Sequence, residues 1–72
     1  MDIKKEQPET DIGTVVETLP DAIFRVEFGD GSIRLAYLCG KMRQNRIKVI
    51  LGDKVLVQLD KYGGKGRIVK RI

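Results

Sequence analysis

Residues 22–38 read AIFRVEFGDGSIRLAYL, and this hairpin-like stretch decides the fold. Over 22–28 the side chains alternate: Ala22, Phe24, Val26 and Phe28 face one way, Ile23, Arg25 and Glu27 the other. A period of two marks a half-buried strand. GDG at 29–31 then reverses the chain, because glycine accepts a positive φ at no steric cost. SIRLAYL at 32–38 returns as the next strand. Its two sets, Ile33, Leu35, Tyr37 and Arg34, Ala36, Leu38, are both mostly apolar. Alternation alone leaves both faces open as the inner one.

The strands on either side follow the same logic. IGTVVETL (12–19) is rich in β-branched residues and ends at Pro20-Asp21, a turn signal. Beyond the hairpin, IKVIL (47–51) reads as short and extended, and Gly52-Asp53 turns the chain. KVLVQLD (54–60) places Val55, Val57 and Leu59 on one face. KYGGKG (61–66) reads as a basic loop. In RIVKRI (67–72), alternation puts Arg67, Val69 and Arg71 on one side and Ile68, Lys70 and Ile72 on the other. No segment carries a helical period over ten residues.

About five short strands imply an all-β domain. A flat sheet of that size leaves two edges and one face in water, whereas a closed barrel removes both problems. Three strands joined by tight turns, a long irregular or helical connection, then two more strands match a five-stranded Greek-key OB-fold barrel. An SH3-like barrel is the structural rival. Residues 1–10 are polar, contain Pro8 and lack an apolar period, and are read as a flexible N-terminal arm ahead of the barrel at 11–72.

Composition bounds the chemistry. A 72-residue chain makes one domain, which buries only about 60% of the surface its unfolded form exposes. One cysteine, Cys39, permits no internal disulfide, and without histidine a structural zinc site has no usual ligand set. A lone thiol suits a reducing cytosol. The N-terminus is too polar for a signal peptide, and the apolar runs are too short to span a membrane. Catalysis has little to work with. There is no histidine for proton transfer near neutral pH, no base beside Cys39, and a single serine, Ser32, in a turn. GGKG lacks the spacing of a phosphate loop. No enzyme activity, catalytic residue, metal or cofactor is expected.

The charge pattern points elsewhere. Residues 1–39 carry 4 basic and 8 acidic side chains, net −4; residues 40–72 carry 10 basic and 2 acidic, net +8. Within GKMRQNRIKV (40–49), Lys41, Arg43, Arg46 and Lys48 stand with no acid among them. The bias returns at Lys61, Lys65, Arg67, Lys70 and Arg71. Two such clusters on a small barrel favour a polyanion-binding surface over plain solvated loops. With only Phe24, Phe28, Tyr37 and Tyr62 as aromatics, and both phenylalanines on the core face, base stacking has few platforms. Phosphate and sugar contacts on structured RNA fit better. Met42, between Lys41 and Arg43, either wedges against a nucleotide or tucks under the loop onto the barrel.

Taken together, GTVVETLPDAIFRVEFGDG, GKMRQNRIKVILGDKV and KGRIVKRI closely resemble bacterial translation initiation factor one, from about Ile12 to the end. The resemblance implies an OB-fold barrel, monomeric and cytoplasmic, that binds the small ribosomal subunit at the aminoacyl-tRNA site. Its partners there would be rRNA and a neighbouring ribosomal protein, with support given to the other two initiation factors. It also implies that Lys41, Met42 and Arg43 enter an rRNA helix, with Arg46 close by. Lys48 extends that loop, and Lys65, Arg67 and Arg71 would face rRNA from the last strand. Three features depart from the usual family pattern: Arg46 replaces an aromatic, Tyr37 replaces a histidine, and the loop after Tyr62 is about one residue shorter. A general RNA chaperone and a barrel that meets an acidic protein partner are the alternatives.

Overall fold

The computed structural model describes residues 9–72. Five strands and one short helix follow in order: β1 (Thr10–Leu19), β2 (Ile23–Phe28), β3 (Ile33–Leu38), α1 (Gly40–Gln44), β4 (Lys54–Gln58) and β5 (Gly66–Arg71). The sheet closes into a barrel in the order β1-β2-β3-β5-β4. Every ladder is antiparallel except β3 with β5. This is the OB-fold arrangement, with α1 filling the connection from β3 to β4. The expected arm at 1–10 mostly lies outside the described residues. The barrel claims its end, because β1 already begins at Thr10 and the Glu9 carbonyl accepts a 2.8 Å bond from the Leu59 amide.

Closure depends on β1. Its first half pairs with β4 and its second half with β2, so the ten-residue strand must bend. The bend is a bulge between Val15 and Glu17 that leaves Val16 without a partner and strengthens the local twist. Gly13 lies where both ladders meet. A Cβ there would sit 2.4 Å from Val26 Cγ1 and 2.9 Å from the Glu27 carbonyl oxygen, so only glycine permits the approach.

The interior is built from alternate residues. Val15, Phe24, Val26, Phe28, Ala36, Val55, Val57 and Ile68 fill the barrel. Cys39, Met42 and Val49 join the same buried cluster from the β3–β4 connection. On β3 the inner face belongs to Ala36, while Ile33 and Leu35 point to water. Ala36 fits there because it faces the close approach of Gly66 on β5.

Two local expectations need correction. Ala22 belongs to the β1–β2 turn, not to β2: Asp21 and Ala22 have φ of 64° and 57°, a left-handed pair that reverses the chain within three residues. Segment 47–51 forms no ladder and stays part of the connection from β3 to β4, anchored by burial of Val49 and partial burial of Ile47. The simple alternation of the last strand also fails. The β4–β5 register shifts between Leu56 and Val57, which pair with Lys70 and Ile68. Val69 is thus the extra residue, half-buried against the core, while Ile72 stays exposed.

Candidate nucleic-acid interface

The cationic connection is an ordered structure. KMRQ contains good helix formers, and α1 makes a single turn from Gly40 to Gln44. So short a helix is not stable alone, because nucleation is more unfavourable than one turn of hydrogen bonds is favourable. What holds it is Met42, only 3% exposed and the one buried residue of α1. Of the two readings of Met42, the structure shows the one beneath the loop. Lys41 and Arg43 consequently project outward, and they sit in the last turn, where cations complement the helix dipole.

The helix then stops on a specific device. The Ile47 amide donates to the Met42 carbonyl at 3.0 Å and the Arg46 amide to the Arg43 carbonyl at 3.2 Å. This pair of bonds defines a Schellman motif, whose penultimate position requires a left-handed backbone. Arg46 occupies it with φ of 54°. Glycine is the usual residue there, since a side chain costs about 1 kcal/mol or more in this conformation. The accompanying apolar pair is Met42 with Ile47, both packed into or against the core. Sequence alone leaves this stretch irregular or helical. The signal that decides it is an apolar residue five positions after Met42, ahead of which the gap is polar.

β5 and the residue just before it supply the second cluster. Lys65, Arg67, Lys70 and Arg71 are all exposed. Gly66, between the first two, is buried, and a Cβ on it would lie 2.6 Å from Val57 Cγ1. The glycine therefore sets how closely β5 enters the barrel, and so where Lys65 and Arg67 stand. Arg67 pairs with Tyr37 across the parallel ladder and with Gln58 across the antiparallel one. Tyr37, Gln58, Leu59, Asp60, Lys65 and Arg67 line an open groove of about 390 Å³. The Asp60 carboxylate is engaged by its own loop: it accepts amide bonds from Tyr62 at 3.2 Å and Gly64 at 2.9 Å. Tyr62 is 85% exposed, with the Lys61 ammonium 5.5 Å from its ring centre.

The fold joins the two clusters. The Cys39 amide donates to the Ile68 carbonyl at 3.0 Å, which ties the start of α1 to mid-β5. Arg71 Nη1 donates to the Lys48 carbonyl at 2.9 Å, which ties the far leg of the loop to the end of β5. Among the described residues, no carboxylate lies within 4.0 Å of Lys41, Arg43, Arg46, Lys48, Lys65, Arg67, Lys70 or Arg71. The acids are engaged elsewhere: Glu17 pairs with Arg25 at 3.0 Å, and Asp53 Oδ2 accepts the Ile50 amide. Asp30 titrates below its ordinary value, chiefly because the Ser32 hydroxyl and then its amide donate to the carboxylate. An open, uncompensated array of guanidinium and ammonium groups on a rigid barrel can bind phosphates; it offers no arrangement for bond-making. Among the described residues, no group of three histidine, cysteine or carboxylate side chains could hold a metal.

A family model described as translation initiation factor 1A / IF-1 matches residues 1–72. The structure is similar to the solution structure of translation initiation factor one from the Wolbachia endosymbiont strain TRS of Brugia malayi, with a TM-score of 0.77 and 35% identity. That match covers 99% of this chain and 85% of the other. It is also similar to part of YjeQ from Thermotoga maritima, with a TM-score of 0.75 and 29% identity over 89% of this chain. Here the chain spans only 23% of the larger protein's length.

Proposed function

The chain belongs to the translation initiation factor 1A / IF-1 family, whose members are initiation factors and not enzymes, and from that premise we propose where and how it acts. It binds the small ribosomal subunit at the aminoacyl-tRNA site, in the cytoplasm, as a monomer. There it works by occupancy, keeping tRNA out of that site and supporting the other two initiation factors. The observation that carries this reading is the joining of two cationic clusters, none of whose groups named above has a carboxylate within 4.0 Å, into one surface through the Arg71–Lys48 and Cys39–Ile68 bonds. Lys41, Arg43, Arg46 and Lys48 contact rRNA from the connection after β3, Lys65 from the residue before β5, and Arg67 and Arg71 from β5. The planar guanidinium forks engage paired phosphate oxygens, while the ammonium groups act as point charges. Met42 serves this surface from below, as the residue that holds α1 in place. A general RNA chaperone would need no such fixed geometry; the capped helix and the glycine-set strand favour a single docked pose.

The test is equilibrium binding to purified small subunits over a salt series. Each phosphate neutralised on duplex RNA steepens the fall of log affinity with log salt by about 0.9 at most. Several contacts predict a steep decline between low and moderate salt. An affinity that hardly changes over that range would refute phosphate binding as the mechanism.

A further inference from the structure

One acid stands where a phosphate-binding surface has no use for it. Of the two carboxylates in residues 40–72, Asp53 holds the turn before β4, while Asp60 lies in the groove with Lys65 and Arg67. A negative charge beside those cations opposes phosphate binding by Coulomb repulsion. Its hydrogen bonds give it another task. Asp60 Oδ1 accepts the Tyr62 amide at 3.2 Å, Oδ2 accepts the Gly64 amide at 2.9 Å, and the Asp60 carbonyl accepts the Gly63 amide at 3.0 Å. Three successive amides converge on one residue. A Cβ at Gly64 would sit 2.5 Å from Asp60 Oδ2, so a side chain there would push the carboxylate out of its seat. The loop between β4 and β5 is therefore clamped from within.

What the clamp presents is Tyr62. At 85% exposure it is the most exposed large hydrophobic side chain among the described residues, whereas Phe24 and Phe28 lie in the core. A single exposed ring is ordinary on its own. This one is held on a fixed backbone, with the Lys61 ammonium 5.5 Å from its centre and Lys65 and Arg67 following in the chain. An aromatic face among cations suits a nucleotide: the base stacks on the ring and the backbone phosphates meet the neighbouring charges. A duplex keeps its bases stacked and offers the ring no such face. We infer that the loop is a stacking platform, on which Tyr62 takes the face of one unpaired RNA base and Asp60 acts as the positioning residue that fixes the ring. Its place on the ribosome rests on the function proposed above; the contact between ring and base is tested apart from it.

The test compares the parent with Tyr62→Ala, Tyr62→Phe and Asp60→Ala on three probes: purified small subunits, a short single-stranded oligouridylate, and an RNA duplex of the same length. Tyr62→Ala is expected to bind small subunits and oligouridylate about fivefold or more weakly, the scale of one lost base stack. Its salt slope stays as in the parent, because stacking releases no counterions. Tyr62→Phe keeps the ring and binds as the parent does. The duplex binds the parent and Tyr62→Ala alike. Asp60→Ala gives a reversal of sign: loss of a negative charge alone would tighten binding, whereas loss of the clamp weakens it on small subunits and oligouridylate. Tighter binding by Asp60→Ala overturns the inference. So does equal affinity of the parent and Tyr62→Ala for oligouridylate, or a loss with phenylalanine as large as with alanine, which would make the hydroxyl the contact. An equal loss on the duplex overturns it in favour of a backbone contact, and a loss on small subunits alone in favour of a protein contact. A parent that fails to bind small subunits yet binds oligouridylate through Tyr62 overturns the proposed function and leaves the stacking platform standing.

Discussion

Replacing Met42 with alanine separates support from contact. Met42 is 3% exposed and is the only residue of α1 that reaches the core. Truncation removes that anchor and leaves a cavity beneath Lys41 and Arg43. Met→Ala substitutions in cores cost about 2–5 kcal/mol, and a site at the rim of a barrel settles partly, which favours about 2–3 kcal/mol. In a domain of this size each kcal/mol moves Tm by about 4–8 °C, so a fall of roughly 10 °C or more is expected by thermal circular dichroism. Met42→Leu keeps the volume and should lose less than about 1.5 kcal/mol. Binding to small subunits, measured well below both melting points, should weaken with the alanine and hold with the leucine. An alanine variant with Tm within about 2 °C of the parent but lost binding would show that Met42 touches RNA and that its place under α1 is immaterial.

Further outcomes follow from the same geometry. Arg46→Gly relieves the left-handed strain at φ 54° and should raise stability by about 1 kcal/mol in denaturant melts, while weakening subunit binding through loss of one guanidinium. Arg43→Ala and Arg67→Ala, both at exposed positions, should leave Tm nearly unchanged and each reduce the salt slope by up to about 0.9; a double variant that binds normally would mean the wrong face has been chosen. Ser32→Ala removes the chief cause of the lowered Asp30 pKa, so the carboxyl titration followed by NMR should move up towards 3.8. Because the folded pKa is the lower one, this contribution to stability is present above pH 3.8 and fades as pH falls beneath it.

The barrel was legible because its signals are local. Period-two alternation over 22–28 and 54–60, with turn residues between the strands, suffices to give strands and their order. The misses have physical causes. β3 has two apolar faces, and only the approach of Gly66 decides that Ala36 points inward. Val69 is displaced by a bulge, which alternation cannot anticipate. Ala22 enters the turn because the hairpin closes in three residues, a matter of register and not of propensity. The cationic residues were visible as composition. Their arrangement was not, since the Schellman cap at Arg46 uses no glycine and the Arg71–Lys48 bond spans 23 positions.

Chemical probing of small-subunit rRNA, with and without the protein, bears most directly on the fixed cationic surface. Docking in one pose predicts protections confined to the decoding region, reduced together in a variant lacking Arg43 and Arg67. Protections scattered along the rRNA, or none at all, would contradict it.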